Sequence, residues 1–516
     1  MLSSARSRVL TLSTLLLLEA ACGGSGDSKP SAPASPTPSV ATSGAAGAPS
    51  APTSPALPTA PMAPASPASS PATGPALAKG TSAPGAAVEL QWTFPALIPD
   101  DARGLVFPTY LAHLLGHPLG NPFPTDLVCV DANNPGPSFT ATLTIKMAIY
   151  GEDASQDVAL PSGRSHHCLT PAFDLAKLYA LRAATPGRLE AELDAGDTIL
   201  GTTMQPLSIS PVDEIAWQDG SLGVDDLRAL ASVFVTPGDP KVDQLQRLAA
   251  AQSVFGRFGN GPDPYERDPY TRSSDLDAQT WSSELVVVEP GEPVAWSLSS
   301  VTGGDDVVDV YLFTFDQFEA WRDGDARDAT EVWSDQAAGA SARVSEAAGA
   351  YVLVVYNAQI YPTVSVSWSR NVTREDVAQD TLSSIYAALQ SLHTQYSDIS
   401  TSFFDGFQHL RRPAEVLDAQ SANCLEGSLL FASVLELVGM RPVLVFKTGH
   451  AYVGVASAPG SNVVWPVETT MVGTNDFIDA FGKGLDELAD DSTNDPAFAL
   501  VDVATARANG ILPLAE

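Results

Sequence analysis

At 516 residues and 44% hydrophobic side chains, the chain has room for roughly two to four domains with apolar cores. Its 60 acidic residues against 27 basic ones leave a net charge of −33. That balance excludes the clustered Lys and Arg that phosphate binding needs, so no nucleic-acid partner is expected, and it argues against a basic membrane-surface patch.

In chain order, Arg6 and Arg8 precede the apolar run Val9 to Leu18, which is too short to span a bilayer. Leu18-Glu19-Ala20-Ala21-Cys22-Gly23-Gly24 follows, and residues 1–22 read as an export signal. The stretch resembles a bacterial lipoprotein signal. The resemblance implies cleavage before Cys22, lipidation of that cysteine, and attachment to the membrane through the lipid. The expected location is the bacterial cell envelope, as an outer-membrane lipoprotein. Residues 23–86 are dominated by Ala, Pro, Ser, Thr and Gly, with almost no charge between Lys29 and Lys79. Such a composition builds no core and predicts a disordered, proline-stiffened tether.

From Val88 the texture changes. Val88, Leu90, Trp92 and Phe94 alternate with polar residues, as do Phe139, Ala141, Leu143, Ile145, Met147 and Ile149. This period of two, broken by Asn133-Asn134-Pro135-Gly136 and Pro161-Ser162-Gly163, predicts an antiparallel β-sandwich over 87–212, immunoglobulin-like in the broad sense. Cys129 and Cys168 fall inside it. An exported protein permits a disulfide between them, the alternative being two buried thiols. His113 and His117, four apart, and the adjacent His166 and His167 invite a metal reading. Gly116 and Pro118 flank His117, and no second ligand pair has helical spacing, so no metal or other cofactor is expected.

Residues 213–262 carry helical stripes: Leu227, Leu230, Ala231 and Phe234, then Val242, Leu245 and Leu248, broken by Thr236-Pro237-Gly238-Asp239-Pro240. With the turn-rich 263–275 they form a helical segment and linker, expected to pack on the C-terminal domain. Strand-like runs resume over 276–370 as a second antiparallel β-sandwich, an insertion ahead of the C-terminal domain that is expected to gate or recruit substrate. Residues 371–516 open on the stripe Leu382, Ile385, Tyr386, Leu389 and Leu392.

The chemistry concentrates between Asn423 and Thr470. Cys424 opens a helical pattern in which Leu429, Leu430, Val434 and Leu437 share a face, and Gly439 stops it. A helix N-terminus favours negative charge and therefore a thiolate. Val443 to Phe446 and Gly449-His450-Ala451-Tyr452-Val453 read as strands, and Val463-Val464-Trp465 leads to Glu468. A histidine beside the thiol can shuttle its proton, and a carboxylate behind the imidazole fixes its orientation.

This order of Cys, His and acid resembles the transglutaminase-like superfamily of papain-fold cysteine enzymes, with Glu where Asp is commoner. The resemblance covers about the last third of the chain and implies a triad of Cys424, His450 and Glu468 in an α+β domain. Gln408-His409-Leu410-Arg411-Arg412-Pro413 resembles the family's Gln-x-x-Arg-x-Pro stretch, which implies an oxyanion role for Gln408, and the Ile511 to Leu514 tail resembles the close of such domains. The implied activity is cleavage or transfer of acyl groups at peptide or amide bonds, with an envelope protein or wall peptide as substrate. The alternative is a catalytically inactive binding or scaffold lipoprotein on the same fold.

Overall fold

The structure is a computed structural model. It describes residues 78–79 and 87–514, apart from 117–122, 124, 218–226, 255–257, 259–263, 265–269, 289–293, 325–328, 345–348, 361–362, 398–405, 458–460 and 462. The export signal, Cys22, nearly all of the tether and His117 lie outside the described residues. The tether boundary needs one correction. Ala78–Lys79 pair antiparallel with Leu90 and Glu89, extending a sheet edge whose backbone groups would otherwise be open.

The molecule is β-rich and built from several sheets. In the first unit a four-stranded sheet runs in the order Ala78–Lys79, Glu89–Thr93, Val128–Asn134, Gly163–Leu169. A six-stranded sheet faces it, running Ile98–Asp100, Gly104–Phe107, Thr198–Ile209, Thr185–Ala195, Phe139–Met147, Ala154–Leu160. Alternation puts Leu90 and Trp92 inside from one sheet and Leu143, Ile145 and Met147 from the other. Cys129 and Cys168 are cross-strand partners joined by a disulfide. The unit is not wholly antiparallel, because Val106–Phe107 pair parallel with Ser208–Ile209. The long intervening chain allows a return in the same direction, which a hairpin does not.

The second unit has two all-antiparallel four-stranded sheets around its own core of Val286, Trp296, Leu298, Val310, Leu353, Val366 and Trp368. It begins earlier than the sequence suggested: Tyr270–Leu276 is a strand paired with Val364–Arg370. Its polar composition suits an edge position and hid it among turn residues.

Between these units, two expectations for 213–262 change. Glu214–Ala216 is a strand paired with Phe407–His409, and Arg228–Phe234 is a 3₁₀ rather than an α-helix. The segment packs on the C-terminal domain: the Thr236 amide donates to Ser433 Oγ at 2.9 Å, and Leu514 N donates to Val233 O at 2.9 Å. In the Pro240–Ala250 helix Val242 and Leu245 are buried, but Leu248 is 42% exposed.

In the C-terminal domain the α-helices among the described residues are α1 (Arg374–Ser391), α2 (Pro413–Ala419), α3 (Cys424–Leu437), α4 (Phe477–Asn494) and α5 (Val503–Ala508). The strands are β1 (Pro442–Lys447), β2 (His450–Ala456), β3 (Val464–Val467) and β4 (Ala499–Asp502), in the order β3-β2-β1-β4, all antiparallel. Helices cover both faces. Leu444, Phe446, Ala451 and Val453 join the core that contains α3, while Val445 and Tyr452 pack with Leu488 of α4. The expected one-sided stripe on α3 is corrected: residues 424–435 are buried all round, and Leu437 is 36% exposed. A helix apolar on every side is a core helix. Among the described residues no helix is long and apolar enough to cross a membrane.

Candidate functional site

The N-terminus of α3 is the most heavily pinned point in the domain. Asn423 caps it: its side-chain oxygen accepts from Glu426 N at 2.8 Å, and Glu426 Oε2 accepts from Asn423 N at 2.9 Å. This reciprocal box satisfies two backbone donors that a helix start would otherwise leave open. Glu426, only 3% exposed, also takes Arg411 in a fork, with Nε 3.1 Å from Oε1 and a terminal nitrogen 2.6 Å from Oε2. The Arg411 backbone amide adds a third contact at 2.8 Å. One carboxylate therefore ties the 407–413 segment to the turn that carries Cys424. The Asn423-x-x-Glu426 spacing carried that signal; the Arg411 partner did not show in the sequence.

Gln408 lies on this segment, 1% exposed and paired across the short sheet with Ile215. The indole N–H of Trp217 donates to its Oε1 at 2.7 Å and orients the amide. The structure thus links Gln408 to the helix of Cys424 through Arg411 and Glu426.

Cys424 is the first residue of α3, a free thiol and 7% exposed. Its carbonyl accepts from Ser428 Oγ at 2.7 Å and from Thr469 Oγ1 at 3.3 Å. A Cβ on Gly427 would lie 3.2 Å from Thr469 Oγ1, so a glycine here lets the helix sit close to the segment after Glu468.

His450 opens β2 immediately after the two-residue turn Thr448-Gly449, where Gly449 takes a φ of 69°. Its Nε2 lies 2.7 Å from Glu468 Oε2, and the Cys424 side chain is near enough to act on its charge. With Nε2 on the carboxylate, Nδ1 is the nitrogen left for the sulfur. Glu468, 3% exposed, has its other oxygen filled by Thr470 N at 2.9 Å and Thr470 Oγ1 at 2.7 Å.

Charge follows geometry. Burial acts to lower the pKa of His450, but the hydrogen bonds and charges of Cys424 and Glu468 outweigh it and push it up to about 10. Burial acts to raise that of Glu468, yet the His450 hydrogen bond and charge, with the two from Thr470, hold it below the usual carboxylate range. At neutral pH the imidazole is therefore a cation between an anionic carboxylate and a thiol at a helix start.

A second carboxylate stands beside the first. Glu487 of α4 places Oε2 3.9 Å from His450 Nε2, and nothing in the sequence had singled it out. His450, Glu468 and Glu487 offer donor atoms within 4.8 Å of one another, a spacing that a metal could use. Lys447 and Lys483 already supply positive charge at Glu487, 3.5 and 3.0 Å away. Cys129, His166 and Cys168 also cluster, but both sulfurs are spent in the disulfide. His166 contacts Asp131 through Nδ1 at 2.9 Å and Cys168 Sγ through Nε2 at 3.0 Å, and His113 contacts the Leu512 carbonyl at 3.1 Å.

A search of family models and a search of curated proteins each returned no match for this chain.

Proposed function

We propose that Cys424, His450 and Glu468 form the catalytic centre of a transglutaminase-like cysteine enzyme, with the C-terminal domain a papain-like variant. The observation that carries the reading is the single row of contacts from thiol to imidazole to carboxylate, assembled from α3, β2 and the end of β3.

In this reading the Cys424 thiolate attacks the carbonyl carbon of a peptide or side-chain amide. The C=O electron pair moves to oxygen, giving a tetrahedral oxyanion. The Cys424 backbone N–H and the Gln408 amide are the proposed donors to that oxygen. As the C–N bond breaks, the His450 imidazolium gives its proton to the leaving amine, and a thioester remains on Cys424. Water, deprotonated by the now neutral His450, attacks the thioester; the carboxylic acid leaves and the thiol–imidazole pair is restored. An amine in place of water gives acyl transfer. Hydrolysis is the favoured outcome, since water needs no second binding site. The proposed substrates are envelope proteins or wall peptides, met by an exported, lipid-anchored enzyme.

One observation favours a second reading. Cys424 is only 7% exposed, as a retained but inactive binding module would permit. Intact-protein mass spectrometry after incubation with an activated peptide ester separates the two. The enzyme reading expects an acyl adduct on Cys424 that decays as turnover proceeds and is absent in Cys424→Ala. No adduct on the wild-type protein supports the inactive module.

A further inference from the structure

We propose that Glu487 is a second positioning carboxylate for His450, sharing the imidazolium with Glu468. This rests on the triad reading and extends it.

A Cβ on Gly484 would lie 3.2 Å from the backbone of Pro466 and Val467, so α4 rides directly on β3. Glu487 follows on the next turn, which carries it over the strand that leads to Glu468. Its Oε2 has under 1 Å² of accessible surface and lies 3.5 Å from Lys447 Nζ and 3.9 Å from His450 Nε2. An oxygen of this kind is expensive to bury unless a charge nearby compensates it. The cations around it are His450, Lys447 at 3.5 Å and, on its other oxygen, Lys483 at 3.0 Å.

Register sharpens the point. Lys447 and His450 are cross-strand partners at the mouth of their hairpin, so an ammonium and an imidazolium share one face of the sheet. Two like charges there repel. Glu487 lies between them, and Asp491 takes Lys447 at 3.0 Å while accepting the Tyr452 hydroxyl at 3.4 Å. The groups facing His450 are thus Cys424 from α3, Glu468 after β3, Glu487 from α4, Lys447 from β1 and the Tyr452 ring, 6.0 Å away between centroids. Glu468 fixes the ring by a direct bond; Glu487 offsets Lys447 and offers Nε2–H a second acceptor when the ring tilts towards a leaving group. Without Glu487 the imidazolium faces Lys447 with one of its nearby carboxylates gone.

The test follows the His450 imidazole resonance across a pH titration of the full chain, assigned by its loss in His450→Gln. Glu487→Gln should lower the His450 midpoint by about one unit, a tenfold change in protonation equilibrium. Glu487→Asp, which keeps the charge but draws it back, should recover part of that shift. It also decides the matter alone if Glu487→Gln fails to fold. An unmoved midpoint in the folded Glu487 variants, with Glu468→Gln shifting it, overturns the assignment and leaves the triad standing. A wild-type His450 titrating at its ordinary value removes the triad reading itself. A midpoint lowered in Glu487→Gln and unrecovered in Glu487→Asp makes Glu487 a packing residue and overturns the proposal.

Discussion

The two β-sheet units join the C-terminal domain in opposite ways. The first shares one continuous apolar core with it: Leu90, Tyr110, Trp217, Phe234, Leu430 and Phe446 belong to a single cluster. Tyr110 packs on Phe234 with the rings tilted, and Trp217 edges onto Phe446. The second unit keeps its own core and meets the domain through charges and a smaller apolar contact: Leu285, Phe315 and Ala350 pack against the main cluster, and Ile478 of α4 packs against the cluster of Phe313 and Phe318. Arg370, the last residue of its final strand, bridges Glu284 within the unit and Asp376 in α1. Arg322 reaches Asp479 of α4 at 2.9 Å, and Phe315 packs on Phe481 of α4 at 5.8 Å between ring centroids. Apolar continuity makes the first unit and the domain one cooperative body. A separate core with a mixed charged and apolar attachment makes the second a distinct body clipped onto the helix that carries Glu487.

Breaking the clip most severely means Arg370→Met. The change leaves Glu284 and Asp376 buried without their cation, at a cost of about 3–5 kcal/mol. Calorimetry should then show the second unit melting apart from the rest. Reopening the Cys129–Cys168 disulfide in a double Cys→Ser variant strikes the other body. The bridge closes a separation of 39 residues, worth roughly 4 kcal/mol in a chain-entropy account. The transition reported by the core tryptophan Trp217 should move down, with the second unit's transition unchanged. If both transitions moved together, the division into two bodies would be wrong. The mildest probe is Arg322→Ala. That pair is partly exposed, so the cost should be about 1 kcal/mol or less, read as faster hydrogen exchange along Phe315–Arg322.

The comparison also shows what a sequence carries. Alternation over Glu89–Thr93 and Phe139–Met147 exposed the first unit's core, because a period of two is local. The Tyr270–Leu276 strand has no such period, since its side chains sit at an edge. Within Pro240–Ala250, Gln246 is buried and Leu248 exposed, which polarity alone ranks the other way; the neighbours packed on the helix decide. At the candidate site Cys424, His450 and Glu468 were legible as residue types in an order, each at the start or end of an element. Glu487 was not, since the pair Lys483–Glu487 reads as an ordinary exposed i,i+4 contact. Only the seat of α4 on β3 brings it to the imidazole.

The central claim is that His450 stands as a cation beside the Cys424 thiol. Its pKa is raised above the ordinary value, so the stability that its charge contributes is complete by a pH of about 6.5 and fades as pH rises through about 10, while protonation of Glu468, held below the usual carboxylate range, ends the pair in acid. Alkylation of Cys424 by iodoacetamide, followed from mildly acidic to alkaline pH in the native, urea-unfolded and Glu468→Gln proteins, tests it most directly. The account predicts native Cys424 reacting faster than unfolded at neutral and mildly acidic pH, with most of that advantage lost in Glu468→Gln. Equal rates in native and unfolded protein across the whole range would contradict it.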